Sequence, residues 1–100
     1  NNDYQNFNIG WKSIRLDKKM NSLINLKLNN KKFYFIHKYV CNPDNKKLII
    51  AKSEYKKTNF CAAIKSKNIE AYQFHPEKSG VDGLSIYANL KKKLYNENFI

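Results

Sequence analysis

The sequence predicts an α/β fold in which several β-strands are followed by a sharp turn and one C-terminal helix. Two observations lead to this prediction. Segments rich in aromatic and β-branched residues recur up to residue 74, and such segments are typical of strands. Apolar residues then recur at helical spacing between residues 81 and 95. The chain has 100 residues, enough for one small domain.

The first part of the chain contains one weak and one strong strand prediction. Residues 11–16 form a short candidate strand, whereas residues 17–31 predict a helical turn and loop because their apolar residues follow no single period. The segment 31–40 is the strong candidate, and residues 33–36 form an uninterrupted apolar and aromatic run. Such a run predicts a strand that is covered on both faces.

Turn chemistry separates the later strands. Residues 41–45 predict a turn because Pro43 fixes φ and its Asn and Asp neighbours bond to their own backbone. Lys67-Asn68 has the length of a two-residue hairpin connection. The strands that these turns delimit are 47–53, 59–66 and 69–74.

The last segment predicts an amphipathic helix over residues 81–95. Ser79 and Asp82 have the spacing of a capping box. Leu84 and Tyr87 begin the apolar stripe. The order of strands, turn and helix contains no internal repeat and no linker, so we expect a single unit.

The net charge of +11 suggests an anionic partner, but the residue types argue against nucleic acid. Arg15 is the only arginine among 19 basic residues, and nucleic-acid sites favour the planar fork of arginine. The lysines are scattered, and abundant Lys and Asn are typical of AT-rich codons. We therefore expect no nucleic-acid partner, with a basic nucleic-acid binder as the alternative. No apolar segment reaches the length that crosses a membrane, so we expect no membrane partner either.

The two cysteines do not have the pattern of a metal site. Cys41 and Cys61 lie twenty residues apart and lack the paired spacing of zinc ligands. A disulfide between them is an alternative, although small secreted scaffolds usually carry more cysteines. We expect two reduced thiols in a cytoplasmic protein, with no metal and no cofactor.

The sequence His75-Pro76-Glu77 at the end of a predicted strand has the chemistry of a catalytic pair. Residues two apart in a strand point the same way, and the proline stops strand pairing between them. A carboxylate beside an imidazole fixes its tautomer and stabilises the imidazolium. The alternative is an ordinary solvated pair at a surface turn.

The segment "YQFHPEKSG" (72–80), followed by "GLSIYANL" (83–90), resembles the C-terminal end of class I glutamine amidotransferases. It is most similar to the glutaminase subunits of imidazole glycerol phosphate synthase, the HisH proteins of histidine biosynthesis. "IGWKSI" (9–14) and "FYFIHKYV" (33–40) fit the same family in the same order. The resemblance spans residues 9–94 and implies the C-terminal part of a flavodoxin-like domain.

The resemblance implies roles for several residues. In this family a cysteine attacks the side-chain amide of glutamine, so His75 is implied as general base and acid, and Glu77 as the residue that orients it. The backbone of His37, Lys38 and Tyr39 is implied to hold the substrate glutamine.

The resemblance also implies a protein partner. Tyr34 and Lys78 are expected to lie towards a cyclase subunit, which receives the ammonia.

The family's nucleophile motif, G-x-C-x-G, is absent from this sequence. We therefore expect residues 1–100 to form about the C-terminal half of the domain, without the nucleophile elbow, and to be inactive alone. Lys38 also stands where the family has a small hydroxyl residue. Two alternatives stay open: a related subunit that feeds a surface-sugar enzyme, and a truncated, non-catalytic paralogue that acts as a binding partner.

Overall fold

A computed structural model describes residues 7–17 and 22–96 of the chain. Within them lie six strands and one α-helix, so the predicted α/β class is confirmed. The strands are β1 (Asn8–Ser13), β2 (Arg15–Leu16), β3 (Lys32–His37), β4 (Ile49–Tyr55), β5 (Thr58–Ser66) and β6 (Ile69–Tyr72), and the helix is α1 (Gly80–Asn96). Three short 3₁₀ helices, Leu26–Leu28, Lys46–Leu48 and Pro76–Lys78, connect them.

The strands form two sheets. One pairs β1 with β3, and the other has the order β2-β4-β5-β6. Every strand pairing among the described residues is antiparallel. The prediction of a single strand over 11–16 is wrong in one respect. The segment is divided between β1 and β2, because the chain passes from one sheet to the other at Ile14. The backbone of Ile14 bonds to Lys31 and Asn30 instead of to either neighbouring strand.

The other predicted elements match to within a few residues. The helix begins one residue earlier and ends one residue later than predicted. Lys67-Asn68 forms the two-residue turn between β5 and β6. In the 17–31 segment the predicted helical turn is Leu26–Leu28, whereas residues 18–21 lie outside the described part of the chain. None of the described helices is both long and apolar enough to span a membrane.

The core lies between the two sheets and α1. Phe33 and Phe35 of β3 are fully buried and meet Phe74, with ring centroids 4.5 and 5.8 Å apart. The other buried apolar residues of this cluster are Ile14, Ile24, Leu28, Ile50, Ala51, Ala62, Ala63 and Ile86. Burial of a phenylalanine side chain contributes about 1.5–3 kcal/mol to folding stability. The buried Phe74 therefore stabilises the position of the chain just before His75.

The prediction that β3 is covered on both faces is wrong for this chain. Phe33 and Phe35 face the core, but Ile36 is 43% exposed and Tyr34 is half-buried. The strand therefore alternates as one-sided strands do. Its aromatic run misled the prediction because Tyr34 is apolar enough to resemble a core residue.

Candidate active site

His75 lies where the chain leaves the second sheet. β6 ends at Tyr72, and Pro76 is the first residue of the 3₁₀ helix Pro76–Lys78. The fixed φ of proline suits that position, and its missing N–H loses no strand bond there. The backbone N–H of His75 donates to the carbonyl of Tyr34 in β3 at 3.0 Å. The proline thus directs the chain across to β3, where His75 is anchored.

Ser79 fixes the other end of this turn. Ser79 is only 2% exposed, and its Oγ accepts a hydrogen bond from the backbone N–H of Tyr34 at 2.9 Å. The same hydroxyl donates to the carbonyl of His75 at 2.5 Å. The predicted capping box is wrong, since no described hydrogen bond joins the Ser79 side chain to the backbone of Asp82. The hydroxyl is used instead to hold His75 against β3.

His75 and Glu77 form a hydrogen-bonded pair. His75 Nδ1 lies 2.9 Å from Glu77 Oε2, and the side chains are 38% and 51% exposed. A carboxylate accepts, so Nδ1 carries the donated proton. Within the described residues nothing bonds to Nε2, which leaves that nitrogen to face solvent or a ligand. The structure therefore brings together the two residues that the sequence singled out as a pair.

The charge of Glu77 is favoured by its surroundings. The hydrogen bond from its own backbone N–H lowers the pKa of Glu77, and the bond with His75 lowers this pKa further. Glu77 is thus ionised throughout the neutral range. Because exposed pairs of this kind contribute little to stability, the pair serves orientation of the imidazole more than folding.

His37 lies at the end of β3 in a defined tautomer. Its Nδ1 lies 3.1 Å from the carbonyl of Tyr39, and its Nε2 lies 3.0 Å from Nδ2 of Asn8. The carbonyl accepts and the amide nitrogen donates, so Nδ1 is protonated and Nε2 is not. Burial lowers the pKa of His37, and the nearby charge of His75 lowers it further. The lowered pKa favours the neutral form of the His37 imidazole.

The next two residues, Lys38 and Tyr39, project outward. Both are exposed, and Tyr39 is 79% exposed. The ammonium group of Lys38 lies 5.9 Å from the centroid of the Tyr39 ring. The side chain of Lys38 is thus directed along the surface towards the Tyr39 ring.

Tyr34 and Lys78 lie on either side of the His75 anchor. Tyr34 supplies both backbone groups that hold His75 and Ser79, and Lys78 is an exposed residue of the 3₁₀ helix. The ring of Tyr34 meets the half-exposed ring of Trp11 edge to face, with centroids 5.9 Å apart. The residue that anchors the His75 backbone thus belongs to a partly exposed aromatic pair.

Neither cysteine completes a nucleophile pair with His75. Cys61 is buried in β5, its Sγ lies 3.6 Å from the carbonyl of Ala63, and burial raises its pKa. Cys41 is exposed and lies opposite Cys61. No described hydrogen bond joins either thiol to His75. The described residues also contain no cluster of three or more metal-binding side chains.

Two residues that shape this region carried no recognisable signal in the sequence. Asn8 is 2% exposed, and its Oδ1 has no hydrogen-bond partner within the described part of the chain. Gly83 lies so close to the 3₁₀ helix that a Cβ atom would be 2.1 Å from the Pro76 carbonyl oxygen. Only the folded chain reveals these contacts, because each joins residues that are distant in the sequence or that lie on opposite sides of a turn.

Comparisons with known proteins find relatives that match most of this chain. The sequence profile described as "Glutamine amidotransferase class-I" matches residues 4–93. A relative from Methanocaldococcus jannaschii, named "Imidazole glycerol phosphate synthase subunit HisH", is 42% identical over 86 residues, or 86% of this chain and 42% of that protein. Proteins of the same name from Chlorobium luteolum and Chlorobium chlorochromatii are 41% and 37% identical over 81 residues. These residues are 81% of this chain and 40% of each relative. The chain thus spans about two fifths of the length of these curated relatives.

Proposed function

Because the chain belongs to the class-I glutamine amidotransferase family, we propose that it contributes the acid–base half of a glutaminase. The complete subunit hydrolyses the side-chain amide of glutamine and supplies ammonia to imidazole glycerol phosphate synthase in histidine biosynthesis. The observation that carries the proposal is the 2.9 Å bond between His75 Nδ1 and Glu77 Oε2. Relatives with 33–43% identity that share the HisH name support the choice of pathway.

The proposed mechanism uses His75 Nε2 to move one proton in each half of the hydrolysis. This nitrogen removes the proton from a cysteine thiol, and the thiolate attacks the amide carbon of glutamine. The imidazolium then gives the proton to the departing ammonia. Water next attacks the thioester and gives a proton to the same nitrogen, and this proton returns to the thiolate as glutamate leaves. Glu77 stabilises that imidazolium and holds Nδ1–H in place. Its lowered pKa supports this role, because the carboxylate stays charged while the histidine cycles.

We propose that the thiol comes from a nucleophile elbow outside these 100 residues. Cys61 is buried, its pKa is raised, and its Sγ faces a carbonyl of its own strand. A thiol in that setting is a poor nucleophile. Cys41 is exposed but is paired across to Cys61, and no glycine adjoins it in the sequence. Residues 1–100 alone would then have a base without a nucleophile.

We further propose that the backbone of His37, Lys38 and Tyr39 holds the glutamine. The hydrogen bond from His37 Nδ1 to the Tyr39 carbonyl folds this segment back on itself, and both following side chains point outward. Peptide groups offer both donors and acceptors, which suits a substrate that carries an amide and charged amino-acid groups. The influence of His75 on the pKa of His37 supports this proposal, because such an influence requires the two imidazoles to be near each other.

The partner in this proposal is a cyclase subunit that receives the ammonia. Tyr34 and Lys78 would contact it, and Trp11 extends the same aromatic surface. Aromatic residues at an exposed surface are frequent anchors of protein interfaces. A sealed interface beside His75 would keep ammonia away from bulk water.

A chimaera tests the proposal. The part of the M. jannaschii relative that matches this chain is replaced by residues from this chain, and glutamate release is measured with the cyclase subunit present. We expect activity that falls by about 10²–10⁴-fold with His75→Asn and substantially with Glu77→Gln. Lys92→Gln, on the exposed face of α1, is the matched control and should leave the rate unchanged.

The refuting result is a folded, active chimaera whose rate His75→Asn lowers no more than Lys92→Gln does. Glutamine hydrolysis by the unaltered 100-residue chain alone would also contradict the proposal, because it would require a nucleophile among Cys41 and Cys61.

A further inference from the structure

Two cysteines that the proposed chemistry does not use lie directly opposite each other. Cys41 follows β3 and forms an isolated antiparallel bridge with Cys61 of β5. Residues opposite each other in antiparallel strands have Cα atoms about 4.5–5.5 Å apart. Disulfides span Cα distances of about 4.4–6.8 Å. The backbone bridge therefore holds Cys41 and Cys61 at a Cα separation that a disulfide can span.

Gln73 holds this register from a third segment. Its backbone N–H donates to the carbonyl of Ala62 at 2.8 Å, next to Cys61 in β5. Its side-chain Oε1 accepts the backbone N–H of Cys41 at 3.3 Å. A cavity of about 80 Å³ lies beside the two cysteines and Gln73, which leaves space for the thiols to rotate. The pairing of the cysteines thus rests on contacts from three parts of the chain.

The two thiols differ in exposure and reactivity. Cys41 is exposed, whereas Cys61 is 7% exposed. Burial raises the pKa of Cys61, and the neighbouring Cys41 raises it further. An exposed thiol beside a buried one is the arrangement of an attacking and a resolving cysteine. Cys41 is the thiol that an external disulfide reaches first.

We propose that Cys41 and Cys61 form a redox-sensitive, cross-strand disulfide. The oxidant is a low-molecular-weight disulfide of the glutathione class. The Cys41 thiolate attacks one sulfur of that disulfide, forms a mixed disulfide and expels one thiol. The Cys61 thiolate then attacks Sγ of Cys41 and expels the second thiol. The two protein thiols lose two electrons and two protons in all, and the small disulfide gains them.

The bond would constrain the end of the segment 37–39. Cys41 lies two residues beyond Tyr39, and Cys61 lies within β5, a strand paired on both sides. Oxidation would fasten the loop after β3 to the second sheet. This inference stands on the cysteine geometry and is independent of the proposed glutaminase function.

The test compares disulfide formation in the folded and unfolded chain. The intact, reduced 100-residue chain is equilibrated with mixtures of glutathione and glutathione disulfide, with and without guanidinium, and the internal disulfide is quantified by mass spectrometry after alkylation. We expect the equilibrium constant for the internal disulfide to be at least about tenfold larger for the folded chain, since a bond that fits the fold is favoured by it. Equal or smaller constants for the folded chain overturn the proposal.

A register variant provides the matched control. The double substitution Cys41→Ser and Asn42→Cys moves the thiol one residue along the chain, out of the position opposite Cys61, and barely changes the length of the loop to Cys61. The folded-state preference should disappear. If it persists, the opposed register is not its cause and the proposal fails. If this variant does not fold, the comparison in the unaltered chain decides alone.

Single variants test the order of the steps. Cys61→Ser should stop at a stable mixed disulfide on Cys41, while Cys41→Ser should leave Cys61 slow to react in the folded chain. Faster reaction of Cys61 than of Cys41 contradicts the assigned roles.

Discussion

Replacing Ser79 by alanine tests whether one buried hydroxyl holds the candidate catalytic histidine in place. The substitution removes the acceptor of the Tyr34 N–H and one donor to the His75 carbonyl. A buried N–H that loses its acceptor costs about 1–3 kcal/mol. The carbonyl keeps its bond from Lys78 N–H at 3.1 Å, so its loss is smaller, about 0.5–1 kcal/mol. Ser79→Ala should therefore lower the free energy of unfolding by about 1.5–4 kcal/mol.

Ser85→Ala is the matched control for this substitution. Ser85 also donates its hydroxyl to a backbone carbonyl, that of Asp82, at 2.6 Å. It lies inside α1, where alanine is the better helix former, so the two effects nearly cancel. Both variants are compared by guanidinium denaturation, and the geometry of His75 is followed through the ¹⁵N chemical shifts of its ring. A cost for Ser79→Ala no greater than that for Ser85→Ala refutes the role assigned to Ser79.

Three further predictions concern other parts of the structure. Gly83→Ala should cost about 2–4 kcal/mol in guanidinium denaturation, since its Cβ would lie 2.1 Å from the Pro76 carbonyl oxygen. This clash outweighs the roughly 1 kcal/mol that alanine gains over glycine in a helix, and a more stable variant would contradict it. His37 has a folded-state pKa below its ordinary 6.5, so the unfolded chain binds more protons between those values, and stability is lost as the pH falls through this window. In urea titrations at several pH values, His37→Gln should remove that part of the pH dependence, and an unchanged profile would count against it. Lys57 adopts φ of +66° in the turn between β4 and β5, so Lys57→Gly should stabilise by about 0.5–1 kcal/mol; an unchanged or lower Tm would refute this.

The order of the elements and the histidine and glutamate pair were readable from the sequence because both depend on local chemistry. Pro76 marks the end of pairing by its covalent structure, and it sets the spacing between His75 and Glu77. The helix was readable from its apolar period, and the structure places it at Gly80–Asn96. The sequence could not show that the Ser79 hydroxyl bonds to Tyr34 and His75 instead of capping the helix. These partners come within reach only once β3 lies beside Ser79.

The division into two sheets also escaped prediction. The sequence predicts residues 11–16 as one short strand, and no residue type in this segment marks Ile14 as the point where the chain changes sheets. That break depends on bonds to Lys31 and Asn30, which are distant in the sequence. Strand propensity reports how a residue fits a half-buried surface, and it does not identify the strand with which it pairs.

The sequence by itself determined the fold class, the strand-to-helix order and the family, because periodicity, turn residues and the segment 72–80 are properties of neighbouring residues. Tertiary structure alone decided that Ser79 bonds to His75 and Tyr34, that Asn8 meets His37, and that Cys41 lies opposite Cys61. These contacts join different segments of the chain, and hydrogen bonds of this kind depend on distances of a few tenths of an ångström. Such distances are fixed only when the core around Phe74 has packed.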